Sequence, residues 1–113
     1  MDYQTARELL QQQGNPSNDA DAFLVRLQQG KAPVPGQVTN LLLALKVVFE
    51  RLNKAEFLDR ELVYALYVLA IEGRRSYDNG RQQGVAWPPL LDEDLTRMAI
   101  AVKSIFLGQW LGS

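Results

Sequence analysis

The stretch that decides the fold is Leu62 to Ile71, Leu-Val-Tyr-Ala-Leu-Tyr-Val-Leu-Ala-Ile, ten apolar residues without a break. A strand of that length is possible, but Arg60-Glu61 before it and Glu72 to Arg75 after it read as helix. A helix that is apolar around its whole circumference must be covered on every side. Only the other helices of this chain, or a second copy of it, can supply that cover.

Working outward, Asp59 is placed to cap this helix, which continues past Arg74, Arg75 and Tyr77 toward Gln83 although Gly73 and Gly80 weaken its second half. Upstream, a helix is predicted over 37–53. Val38, Leu41, Leu42, Leu45, Val48, Phe49 and Leu52 form its apolar stripe, widened by Leu43 and Val47. Downstream, Asp92-Glu93-Asp94 opens a helix whose apolar face is Leu95, Met98, Ala99, Val102, Ile105 and Phe106, closed by Gly108. Two shorter helices come first. One is predicted over 3–13 with Asp2 as N-cap, the other ends at Gln29, capped by Asn18 with Asp19 and Asp21 in its first turn. The second should bury Ala22, Phe23, Val25 and Leu27.

Punctuation supports this division. Gln-Gln-Gly recurs at 12–14, 28–30 and 82–84, followed within a few residues by Pro16, Pro33 and Pro88. A glycine past a helix end tolerates the left-handed conformation, and a following proline cannot continue the helix. The spacing is irregular, so these are three stop signals and not a repeat. Lys31 to Gly36 and Val85 to Pro89 read as stiff connections. No segment alternates like a half-buried strand. The expectation is an all-α fold, a compact bundle of about five helices, in a single domain spanning 1–113.

Composition excludes much chemistry. The chain has 113 residues, 47% hydrophobic, with twelve Lys and Arg against thirteen Asp and Glu. Its length allows about 65% of the unfolded surface to be buried without staples. The charge balance argues against coating nucleic acid. With no cysteine and no histidine, disulfides, thiolate nucleophiles, the usual general base and the common zinc sites are all missing. The polar start Met1-Asp2-Tyr3-Gln4 shows no secretory signal, and ten apolar residues are about half of a membrane span. A cytoplasmic protein without a membrane span is expected.

Few side chains invite a function. Gly30-Lys31 fails as a phosphate loop, because Val25 stands where the first glycine belongs and Ala32 where Ser or Thr should follow. The acidic triplet lacks the spaced ligands of a cation loop and reads as helix-opening charge. Lys46 and Lys103 sit in apolar helices, where lysine snorkels more often than it reacts. Arg74, Arg75 and Arg81 with Tyr77 are the candidate anion or partner contact. Residues 74, 77, 78 and 81 share a helix face, so two arginines bracket Tyr77, although Asp78 and Glu72 neutralise part of the patch. Trp87 beside Pro88-Pro89, Trp110 near the C-terminus, Tyr64 and Tyr67 are the candidate interface residues. For both tryptophans the competing reading is a ring that folds back onto its own helices.

The residues Val34-Pro35-Gly36-Gln37-Val38, Leu43 to Phe49, Asp59-Arg60-Glu61-Leu62, Trp87-Pro88-Pro89-Leu90-Leu91 and Ala101 to Phe106 together resemble a small cyanobacterial protein family of uncharacterised function. Some of its members carry an automatic label of dethiobiotin synthetase. That label conflicts with the residues, since those enzymes resemble phosphate-loop α/β proteins about twice this long and the loop is missing here. The resemblance implies a cytoplasmic cyanobacterial protein and transfers no site residues.

The expected function is a non-catalytic helical interaction module, adaptor or regulator, that self-associates as a homodimer, with no cofactor or metal. The first helix offers few large apolar residues, chiefly Leu9 and Leu10, so apolar surface is left over for a partner. The alternative is a small-ligand or nucleotide-responsive regulator using the arginines. An enzyme is the least expected outcome.

Overall fold

In a computed structural model that describes residues 1–14 and 19–112, the ten-residue run lies within one long helical element. It comprises α4 (Arg60–Tyr67), a π-helical turn (Val68–Glu72) and α5 (Gly73–Gln82). Asp59 begins it as expected, its carboxylate accepting from the Leu62 amide at 3.1 Å. Around it stand α1 (Tyr3–Gly14), α2 (Phe23–Gln28), α3 (Gln37–Leu52) and α6 (Leu91–Leu107). Counting α4 to α5 as one, the protein is an all-α bundle of five helices, with no strand among the described residues.

The long element sorts its neighbours along its length. Its α4 half meets α1, the π turn meets α6, and the α5 half meets α2. The other two main packings set α3 against α1 and α6. Leu62, Leu66 and Leu69 are fully buried at the centre, with Leu10, Phe23, Leu41, Leu45 and Met98 around them. The π turn is what the sequence did not announce. It inserts extra backbone into the helical repeat, so the buried row 62, 66, 69 passes on to Ala70, Gly73, Tyr77 and Gly80.

Several expectations need correction. The long helix is not enclosed by its own chain: Tyr64, Tyr67 and Ile71 face solvent on its outer side. Leu43, Ala99 and Phe106 are exposed as well, and Ala101 occupies the core in place of Ala99. The second helix begins only at Phe23, so Asp19 and Asp21 precede it and do not charge its first turn. The proposed cap Asn18, like Pro16, lies outside the described residues. Gln13 serves α2 instead, its side-chain oxygen accepting from the Phe23 amide at 2.7 Å and from Gln37 Nε2 at 2.9 Å. Gln37 also donates to Asp21 O at 2.8 Å, so two glutamines tie α1, α2 and α3 together.

Of the three Gln-Gln-Gly stops, Gly30 and Gly84 take left-handed backbone as predicted. Gly14 does not. It is the last residue of α1 and lies against α4, where a Cβ would approach Ala65 O to 2.8 Å. Close helix approach, not turn geometry, selects that glycine. At the other end of α1, Asp2 caps as expected, accepting from the Thr5 amide at 2.7 Å. That bond from the Thr5 backbone, with another from its side chain, holds the Asp2 carboxyl below its ordinary 3.8.

The tail after α6 is anchored by a residue the sequence reading passed over. Ser104, fully buried, donates to Ile100 O at 2.7 Å and accepts from the Leu111 amide at 2.9 Å. This fold-back lays Trp110 against Phe49 with ring centroids 5.1 Å apart. Ser104→Ala removes the side-chain acceptor of the Leu111 amide, a loss of about 1–2 kcal/mol of tail docking. The expected result is a red-shifted Trp110 emission with the helical content unchanged; an unaltered spectrum would show that the hydroxyl does not fasten the tail.

Candidate functional site

The arginine cluster does not converge. Arg74 reaches across to the start of α6, pairing with the Asp92 carboxylate and donating to Asp92 O at 3.1 Å and Thr96 Oγ1 at 2.9 Å. Its guanidinium also lies 5.3 Å from the centre of the Tyr77 ring. Arg74 therefore clamps two helices, and Asp92 of the acidic triplet is engaged by it, while Asp94 meets Arg97 at 3.4 Å. Tyr77 is turned into the core, not bracketed at the surface. Arg75 borders a polar cleft of about 470 Å³ between α2 and α5, together with Gln28, Gln29, Ser76 and Asn79. Neither Arg74 nor Arg81 lines it. Arg74 is committed to α6, Arg75 borders the cleft and Arg81 is exposed outside it, so no shared anion seat forms.

Both tryptophans fold back. Trp87 stacks on Tyr77 with centroids 5.7 Å apart and an interplanar angle of 27°, and its indole N–H donates to Tyr77 O at 2.9 Å. Gly80 gives the ring its place: a Cβ there would lie 2.5 Å from Trp87 Cζ2. The glycine that weakened the helix in the sequence is the recess for the indole. Trp110 is partly buried beneath Lys46, whose ammonium sits 3.8 Å from the centre of the indole.

Tyr64 and Tyr67 are the interface candidates that remain outward. Tyr64 is 53% exposed, Tyr67 44% and Ile71 46%, and Phe57 just before α4 is 84% exposed. Spacings of three and four residues put Tyr64, Tyr67 and Ile71 in one row along the solvent face of α4 and the π turn. The ends of the row are charged, with Arg60 and Glu61 before it and Arg75 after it, all exposed. Glu61 and Arg75 have no ion-pair partner among the described residues. Beside the row, a cleft of about 480 Å³ is lined by Gln11, Arg60, Glu61, Tyr64 and Ala65. Gln11 Nε2 is buried there with no hydrogen-bond partner among the described residues.

Fold and surface define a small five-helix bundle with an apolar, aromatic outer row on its central element. No helix is long and apolar enough to cross a membrane among the described residues. In comparisons with protein families, curated proteins and solved structures, nothing matches the chain.

Proposed function

We propose that the chain is a non-catalytic helical interaction module of the cytoplasm, an adaptor or regulator that self-associates through the outer face of α4 and the π turn. The observation that carries this reading is the row Tyr64, Tyr67 and Ile71, three large side chains each about half exposed within the ten-residue apolar run. Tyrosine supplies wide contact area at low entropic cost, which suits it to the centre of an interface. Charge supports a second copy as the occupant. Arg60 and Glu61 flank the row at one end and Glu72 and Arg75 at the other, so both ends carry both signs and an antiparallel two-fold pairing can set opposite charges against each other.

Sedimentation from low to high micromolar concentration tests this. The mass should rise toward twice that of one chain. Tyr67→Arg with Ile71→Arg should hold it at one chain while the circular dichroism stays helical. An unmodified chain that stays single at high micromolar concentration would overturn the reading.

A further inference from the structure

A second feature, independent of the outer row, lies where the tail crosses α3 and α6. It is a cleft of about 600 Å³ whose walls include Leu42, Ile100, Leu111 and the Trp110 indole, with Lys46 and Arg97 at its edge. Small-molecule sites have this make-up: mostly apolar and aromatic walls, a few placed polar groups and a volume of a few hundred Å³. The cleft is held in shape from several sides. Ser104 holds the Leu111 amide, Trp110 rests on Phe49, and Gly112 crosses so close to the indole that a Cβ would come within 2.8 Å of it.

Its electrostatics are one-sided. The Lys46 ammonium lies over Trp110 at 3.8 Å and 5.7 Å from the centre of Phe49, with no carboxylate in ion-pair range among the described residues. Two aromatic faces steady the cation without neutralising it. Among the described residues Arg97 pairs with Asp94 alone, at 3.4 Å and largely exposed, a contact of little strength. Both cations border apolar walls that would desolvate a bound charge and strengthen its pairing.

We infer that this cleft binds a small organic carboxylate with a flat apolar body, the body lying along Trp110, Leu42 and Ile100 and the carboxylate meeting Lys46. One fixed ammonium and a predominantly apolar wall suit a monoanion better than a nucleotide, whose several phosphate charges would find only Arg97 besides.

Titration of the ¹⁵N-labelled protein with naphthoate tests the site, with neutral naphthamide as its counterpart. Each indole N–H gives a separate resonance. That of Trp110 should move and saturate with naphthoate, while that of Trp87, committed to Tyr77 O, stays in place. Naphthamide should bind about tenfold more weakly, the size of one charge-assisted contact. Lys46→Met keeps the apolar stem and should erase that preference, and Arg97→Gln should reduce it in part. No movement of Trp110 at millimolar naphthoate would overturn the assignment. So would equal binding of the amide, or unchanged preference in Lys46→Met.

Discussion

Gly80→Ala is expected to destabilise the protein by about 2 kcal/mol, although alanine is the better helix former by about 1 kcal/mol. The new methyl would stand 2.5 Å from Trp87 Cζ2 and 3.2 Å from its Nε1. A rigid indole cannot bend away. It is pinned from behind by the stack on Tyr77 and by its hydrogen bond to Tyr77 O. The ring must leave, and with it the bond and the stack. For a domain of this size the thermal midpoint should fall by about 10 °C. A double-mutant cycle makes the cause visible. Trp87→Ala alone should cost about 3 kcal/mol, near the low end for a large aromatic because the ring is only partly buried. In that background Gly80→Ala should turn neutral or stabilising, since only helix propensity is left to act. If Gly80→Ala costs the same with and without the indole, the recess is not what the glycine provides.

The largest expected loss belongs to Leu66, and its neighbour in sequence gives the contrast. Leu66 is fully buried at the centre of the bundle, so Leu66→Ala should cost about 2–5 kcal/mol through lost burial and the cavity left behind. Against a typical total of about 5–15 kcal/mol, that is enough to unfold much of the population. Tyr67 follows it in the chain and faces outward. Tyr67→Ala should leave the stability of the single chain within about 0.5 kcal/mol and weaken self-association severalfold. Denaturant melts at low concentration read the first quantity, sedimentation the second. The reverse outcome, a soft Leu66 and a critical Tyr67 in the dilute chain, would mean that the core row is assigned to the wrong face.

These residues also mark how far the sequence could be read. The ends of helices were legible where a local rule sufficed: Asp2 and Asp59 cap as expected, and Gly30, Gly84 and Gly108 take left-handed backbone at or after helix ends. The run from Leu62 to Ile71 announced a central helix, yet could not give its facing. With no polar residue to interrupt it, nothing local separates Leu66 from Tyr67, and nothing signals the π turn. Distant partners were equally hidden. Arg74 looked like a surface anion ligand because its engagement with Asp92 and Thr96 spans many residues of sequence. Ser104 and Gln13 carried no signal, since a single hydroxyl or amide in a helical pattern is ordinarily solvated. For the two tryptophans the sequence offered two readings, and packing chose the inward one.

The five residues from Val68 to Glu72 act as a phase adjuster in the bundle. A regular α-helix advances about 100° per residue, so shortening this segment by one position would swing α5 by roughly that angle relative to α4. Gly73 would turn away from Phe23 of α2, and Arg74 would lose its line to Asp92 of α6. One loosened coil thus lets a single rod serve α1 at one end and α2 at the other, each at its own azimuth.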